Sequence, residues 1–113
     1  MLAKKYRLAK TKDIEAVAKR GQKIFSPYFL IKIFKNDLPH SRITVIVSKK
    51  VSNKATIRNR LKRIITEQLR LNFNQIKTGL DILVLISPKI LVNGKIVDGE
   101  KIKQRLFSNL PKF

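Results

Sequence analysis

The chain has 113 residues, of which 43% are hydrophobic, and its 26 lysines and arginines against 7 acids give a net charge of +19. This length predicts a single domain over residues 1–113, and the lack of cysteine excludes a disulfide framework and thiolate metal sites. The charge favours a polyanionic partner, with nucleic acid first and an anionic membrane second. No apolar run has the length of a signal-peptide core or a bilayer span, so a cytoplasmic protein without a membrane partner is expected.

The first part of the chain predicts a basic arm and a short helix. Residues 1–10 contain several cationic side chains and few apolar ones, as is typical of an arm. Thr11 has a hydroxyl oxygen that can cap a helix, and Gly21 is suited to end that helix about ten residues later. Residues 24–34 have the aromatic and β-branched composition of a strand, with Pro27 placing its beginning at an edge or a bend.

Further strands are predicted on either side of a basic helix, over residues 42–48 and 81–86. An Asn-Gly dipeptide at residues 93–94, between two short apolar runs, predicts a β-hairpin. Asp98 or Gly99 can begin a final helix. The order of these elements predicts an α+β fold in which a small sheet and its packed helices form a two-layer sandwich.

The helix predicted after the strand at residues 42–48 is strongly amphipathic. At about 100° per residue, its apolar side chains form one stripe, namely Ile57, Leu61, Ile64, Ile65 and Leu69. The opposite side is basic, and Glu67, the single acid of the helix, lies one turn after Arg63 and is predicted to pair with it. One side is therefore expected to pack in the core and the other to bind a polyanion.

Residues for acid–base or metal catalysis are not clustered along the sequence. The 7 acids are dispersed, and each has a local explanation at a helix start, in a turn or in a salt bridge. His40 is isolated in a polar turn beside Pro39, and the glycines do not form a phosphate-binding loop. The sequence therefore predicts neither a catalytic residue nor a metal site in the protein.

Residues 48–70 have a distinctive spacing, in which a lysine pair ends a strand and a short loop leads to A-x-x-RNR-x-KR on the basic helix. This stretch resembles the RNR motif of the protein subunit of bacterial ribonuclease P. The matching residues are Lys49, Lys50, Ala55, Arg58, Asn59, Arg60, Lys62 and Arg63. The resemblance continues over most of the chain and includes Gly21, Arg42 and Asp81.

This resemblance implies an α+β sandwich with a left-handed βαβ crossover through the basic helix. It also implies an auxiliary subunit of a ribozyme that removes the 5′ leader of precursor tRNA, in which the RNA carries the active site and its Mg²⁺. The implied partners are the catalytic RNA and the single-stranded leader, with one protein monomer per RNA and no cofactor bound firmly by the protein. The activity would be that of a ribonucleoprotein endoribonuclease whose protein is not catalytic.

The resemblance further implies two binding surfaces. The catalytic RNA is expected on the loop and the RNR helix, at Lys49, Lys50, Lys54, Arg58, Asn59, Arg60, Lys62 and Arg63. The leader is expected in a cleft between the first helix and the sheet, at Ile14, Val17, Ala18, Lys32, Ile46 and Ser48. Ile14 and Ala18 occupy positions that are commonly aromatic in the family, and Lys32 replaces a tyrosine of some members. Weaker base stacking and stronger charge attraction on the leader are therefore expected.

Other interpretations stay open. A ribosomal-type RNA-binding protein or RNA chaperone explains the charge and the fold class, but not the RNR spacing. An autonomous endonuclease needs a carboxylate cluster formed by folding, and a membrane-active helix is disfavoured because the basic helix lies among strands and has no aromatic residue. Within the two surfaces, Ile14, Val17 and Ile46 can equally be core residues, and Asn59 can serve the preceding loop instead of RNA.

Overall fold

The computed structural model describes residues 3–108 and 110. The helices are α1 (Thr11–Arg20), α2 (Ala55–Leu71) and α3 (Gly99–Phe107). The strands are β1 (Gln22–Phe25), β2 (Phe29–Lys35), β3 (Arg42–Ile46), β4 (Leu80–Ile86), β5 (Leu91–Val92) and β6 (Lys95–Ile96). Single turns of 3₁₀ helix occur at Lys4–Tyr6, Phe73–Gln75 and Pro88–Ile90.

The sheet has four strands in the order β1-β2-β4-β3. Its first three strands are antiparallel, with Ile31 opposite Val84, whereas β3 runs parallel to β4 and places Val45 beside Val84. Parallel neighbours need a crossover connection, and α2 lies in the chain between β3 and β4. The predicted α+β sheet with packed helices is confirmed, while the left hand of the crossover stays a prediction.

Strand β4 is buried on both faces, as its continuous apolar run predicts. On one face Ile82 and Val84 join the main core, to which α2 contributes Leu61, Ile65 and Leu69 and α3 contributes Ile102 and Leu106. On the other face Leu83 packs with Val17 of α1 and Leu8 of the arm in a smaller cluster. The main sandwich is thus formed by the sheet with α2 and α3, and α1 covers part of the opposite face.

The prediction of one strand over residues 24–34 is wrong, because the segment forms two antiparallel strands, β1 and β2. Pro27 lies in the turn between them, where its missing N–H interrupts no ladder. The turn is closed by Ser26, whose N–H donates to the Phe29 carbonyl at 2.9 Å and whose hydroxyl accepts from the Phe29 N–H at 3.2 Å. This hairpin makes β1 the edge strand and leaves Phe25 73% exposed.

The helix ends follow most of the predicted signals. The capping prediction for Thr11 is wrong, since Thr11 is the first helical residue and Lys10, at the N-cap, makes no side-chain capping bond. Gly21 does end α1, and its N–H donates to the Val17 carbonyl at 2.8 Å. Helix α3 begins after Asp98, whose carboxylate accepts from the Glu100 N–H at 3.4 Å.

A network of ion pairs around Arg42 joins α1 to the sheet. Arg42 on β3 donates to both carboxylate oxygens of Asp81 on β4, at 2.9 and 2.6 Å, and to Asp13 on α1 at 3.3 Å. Asn36 also donates to Asp81, at 2.8 Å, and the Asp81 residue is only 5% exposed. The hydrogen bonds that Arg42 itself donates to Asp81 are the main reason that the pKa of its guanidinium is raised above its ordinary value. The network fixes the start of α1 relative to β3 and β4.

Candidate nucleic-acid interface

The loop between β3 and α2 is attached to the helix by Arg58. Its guanidinium donates to the Ser52 carbonyl at 2.9 Å, and the Ser52 hydroxyl accepts from the Lys54 N–H at 3.2 Å. Lys49 and Lys50 lie exposed in the same loop. Arg58 is half-buried, and its hydrogen bond holds the loop against the helix. The sequence suggested this loop-supporting role for Asn59, but Arg58 performs it.

The remaining cations of the motif lie on the exposed side of α2. Arg60, Lys62 and Arg63 are exposed and have neither an ion pair nor a hydrogen bond from their side chains within the described part of the chain. The predicted pairing of Glu67 with Arg63 is wrong, because Glu67 accepts two hydrogen bonds at 3.1 Å from Arg70, one turn further along the helix. These bonds lower the pKa of Glu67. The positive charge of Arg63 is thus available to a ligand.

A groove of about 1,070 Å³ runs between α2 and the segment formed by the N-terminal arm and the start of α1. We call it the β3 groove, because the outer edge of β3 lies along it. Its apolar lining includes Leu8, Ile14, Ile43, Val45, Ile64 and Leu71. Its polar lining contains four cationic residues and one acidic residue, Glu67, and includes Arg7, Asn59, Arg60, Lys62 and Arg63. This combination suits a flexible polyanion, since apolar surface can take unstacked bases while the cations bind phosphates.

The arm reaches the β3 groove by pairing with β3. The Leu8 N–H donates to the Ile43 carbonyl at 2.9 Å, and Arg7 forms a parallel bridge with Ile43. Sequence reasoning assigned the basic arm no site, because this contact joins residues far apart in the chain and has no local signal. The arm places Arg7 on the groove wall that faces α2.

The residues predicted for the leader cleft occupy the face of the sheet that α1 partly covers. Lys32 lies opposite Leu83 in the register, and Ile46 lies beside Leu85 on the same face. Ile46 is 37% exposed and Ser48 is also exposed, so both offer surface to a ligand.

The α1 side of the cleft has a different character. Val17 has no exposed surface and packs with Leu8 and Leu83, so its contribution is to the core. The Lys32 ammonium donates to the Ala18 carbonyl at 2.9 Å, where a cation stabilises the C-terminal end of a helix. Ile14 and Ala18 are half-buried. Among the apolar residues predicted for this cleft, Ile46 is therefore the most exposed, with partial contributions from Ile14 and Ala18.

The other candidate chemistry has structural explanations. The ring of His40 packs edge-on against Tyr6, with 5.5 Å between the ring centroids. Over residues 3–108 and 110, histidine and acidic side chains nowhere gather in a group of three or more that could bind a metal ion. The same residues contain no helix with the length and apolarity needed to cross a bilayer. The main accessible chemistry of the described chain is therefore cationic.

The sequence and the fold are similar to those of ribonuclease P proteins. A family model described as Ribonuclease P matches residues 2–108. The chain is 39% identical over 105 residues to the ribonuclease P protein component of Fusobacterium nucleatum subsp. nucleatum, a match that covers 90% of this chain and 94% of that protein. The RNase P protein from Thermotoga maritima is 32% identical and superposes with a TM-score of 0.82, covering 90% of this chain and 92% of that chain. The RNase P protein of Staphylococcus aureus is 26% identical with a TM-score of 0.76, covering 92% and 91% of the two chains. The predicted resemblance to this family is thereby confirmed, and the chain belongs to the ribonuclease P protein family.

Proposed function

We propose that the protein is the RNA-binding subunit of a ribonuclease P ribonucleoprotein and assists its catalytic RNA in removing the 5′ leader from precursor tRNA. The observation that carries this proposal is the set of exposed cations Arg60, Lys62 and Arg63 on a helix whose apolar face packs in the core. A rigid helix holds these side chains at fixed spacing, and guanidinium groups bind phosphate oxygens in pairs. A polyanion therefore meets a preformed set of donors.

The catalytic RNA would bind the loop and the exposed side of α2. In this arrangement Arg58 keeps the loop in place while Lys49, Lys50 and Lys54 remain exposed beside it. The RNA would then contact these loop lysines together with the exposed residues of α2, namely Asn59, Arg60, Lys62 and Arg63. Binding of this kind depends on phosphate contacts and falls steeply as the salt concentration rises.

The leader would occupy the cleft between α1 and the sheet. Ile46 and Ser48 are exposed there, and Ile14 and Ala18 are partly exposed. Val17 is buried and packs α1 onto the sheet. An apolar surface of this kind takes single-stranded bases without reading their sequence. Lys32 contributes its positive charge to the cleft while its ammonium remains bound to the α1 carbonyl.

The chemical step would belong to the RNA. The family resemblance implies that Mg²⁺ is held by the catalytic RNA, and the protein would supply phosphate neutralisation and substrate positioning. We further propose one protein monomer per RNA and a cytoplasmic location, where precursor tRNA is processed. No cofactor bound firmly by the protein is needed for this role.

The test is 5′-leader cleavage of a precursor tRNA at low Mg²⁺, with the protein alone, a bacterial ribonuclease P RNA alone, and the two together. Cleavage at the mature 5′ end that requires the mixture supports the proposal. Cleavage by the protein alone would instead indicate an autonomous nuclease. The mixture giving no more product than the RNA alone would leave a general RNA-binding protein of the ribosomal or chaperone type.

A pair of variants connects this activity to α2. Lys62→Ala combined with Arg63→Ala should reduce the slope of log K against log salt for the catalytic RNA by about 0.7 to 0.9 per lost phosphate contact. The matched control is Lys23→Ala combined with Lys35→Ala, which removes the same charge from exposed positions on β1 and β2, away from β3. Equal salt slopes for the two double variants would show that Lys62 and Arg63 do not contact the catalytic RNA.

A further inference from the structure

We infer that the β5–β6 hairpin is a second part of the catalytic-RNA interface, in which Lys95 binds an RNA phosphate next to the one bound by Arg60. This inference rests on the proposed function, which brings RNA to α2, and it adds a contact outside the RNR motif. The observations that carry it are the hydrogen bonding and core packing of the hairpin, its position beside α2, and the two cationic residues that line the concavity between them.

The hairpin is held by a tight turn, a backbone hydrogen bond at its base and contacts with the main core. Asn93 and Gly94 have φ values of 52° and 76°, and positive φ at both central residues is what a tight type I′ turn requires. Ile90, at its base, is fully buried, and the Val97 N–H donates to the Ile90 carbonyl at 3.0 Å. Ile96 packs against the main core. The hairpin therefore holds the backbone of Lys95 in a defined position.

The hairpin and α2 together enclose a shallow concavity of about 350 Å³. Ile57 and Arg60 line it from α2, whereas Gly94, Lys95 and Ile96 line it from the hairpin. The position of Gly94 is open, because a Cβ built there would meet no atom within 4 Å. A phosphodiester can therefore approach the backbone at the tip as well as the two cationic side chains.

The charges in this concavity favour an anion. Arg60 and Lys95 line it together, and neither has an acidic or hydrogen-bonding partner for its side chain in the described ranges. Two like charges around one concavity repel each other in the free protein, and bound phosphate reverses that unfavourable interaction. The apolar surfaces of Ile57 and Ile96 beside them match a sugar or base edge.

The position of Arg60 between two sites favours the phosphate of an RNA strand over a free phosphate ion. Its side chain lines both the β3 groove and the hairpin concavity, so the two sites share a wall. A nucleic-acid backbone bound along α2 can pass Arg60 and continue to Lys95 without leaving basic surface. A free phosphate ion would gain only one of these sites, whereas a strand occupies both, and the linked contacts strengthen each other.

The first experiment compares Lys95→Gln with Lys23→Gln in binding of the intact protein to a bacterial ribonuclease P RNA over a range of salt concentrations. Lys95→Gln should reduce the salt slope by about 0.7 to 0.9, the value for one phosphate contact. Lys23 lies on β1, at the sheet edge opposite β3, and its variant should keep the parental slope. Equal slopes for Lys95→Gln and the unsubstituted protein would overturn the hairpin proposal. Absence of salt-dependent binding by the unsubstituted protein would instead overturn the proposed function.

A second experiment locates the contact. The chain has no cysteine, so Lys95→Cys introduces a unique thiol for a tethered iron-EDTA probe. In the complex, a probe at residue 95 should cut the catalytic RNA at nucleotides next to those cut by a probe at Asn59→Cys. Cuts at unrelated nucleotides, or none, would overturn the proposal. Competition with inorganic phosphate distinguishes an RNA strand from a free phosphate ion as the ligand. If an RNA strand occupies both sites, added phosphate should give the same cutting pattern as chloride at the same ionic strength.

Discussion

At the scale of single residues, Arg42 is the cation that neutralises Asp81 and connects it to Asp13 on α1. It satisfies both carboxylate oxygens of Asp81, which is nearly buried, and it makes a longer contact with Asp13, which is more exposed. Arg42→Met keeps much of the side-chain volume but leaves the Asp81 charge without its cation. We expect this variant to lose about 3 kcal/mol of unfolding free energy, the usual cost of breaking a buried pair, as measured by urea denaturation.

Asp13→Asn is the matched variant on the exposed side of the same guanidinium. It should lose less than about 1 kcal/mol, because a partly exposed ion pair contributes little. If Asp13→Asn costs as much as Arg42→Met, then the attachment of α1, and not the neutralisation of Asp81, is the main contribution of Arg42.

At the scale of elements, Gly21 allows α1 to end directly against β2. A Cβ at this position would lie 2.4 Å from the Val17 carbonyl oxygen and 3.3 Å from backbone atoms of Ile33, none of which can move independently of its element. Gly21→Ala should therefore destabilise the protein by about 1 to 3 kcal/mol, as overpacking does, in the same urea assay. It should also weaken leader binding more than catalytic-RNA binding, because α1 borders the cleft and α2 lies on the other face.

Gly99→Ala provides the control for this prediction. Gly99 begins α3, and a Cβ there meets no atom within 4 Å, so alanine should leave stability unchanged or raise it by up to about 1 kcal/mol. A loss of stability in Gly99→Ala equal to that in Gly21→Ala would show that the effect comes from the loss of glycine in general and not from the packing of α1 on β2.

At the scale of the whole molecule, the net charge of +19 opposes folding and favours RNA binding. Salt should therefore have opposite effects on the two processes. Raising the ionic strength to a level where the Debye length is about 10 Å should raise the Tm of the free protein by roughly 4 °C, since repulsion among its cations is screened. Over the same range, affinity for the catalytic RNA should fall, because each counterion released on binding gains less entropy in a more concentrated salt solution.

A neutral sugar at the same osmolality serves as the control, and it should leave RNA affinity almost unchanged because it screens no charge. The free protein is followed by calorimetry and the complex by filter binding. A Tm that falls with salt would mean that attractive ion pairs, such as those of Arg42, outweigh repulsion among the cations.

The sequence by itself determined the elements whose signals are local. The apolar stripe of α2 and its cationic opposite side recur every three to four residues, so this period alone assigns Leu61, Ile65 and Leu69 to the core, where all three are buried. The Asn-Gly turn, the end of α1 at Gly21 and the spacing of the RNR motif are equally local, and the motif was sufficient to indicate the family.

Only the tertiary structure decided which of these residues share a site. The division of residues 24–34 into two strands, the attachment of the loop by Arg58, and the pairing of Arg7 with β3 all depend on partners outside the local pattern. The same holds for Lys95, which lies far from Arg60 in the chain but lines the same concavity. A short sequence window records the preferences of its own residues, whereas strand pairing and shared cavities arise from contacts between distant segments that compete during folding.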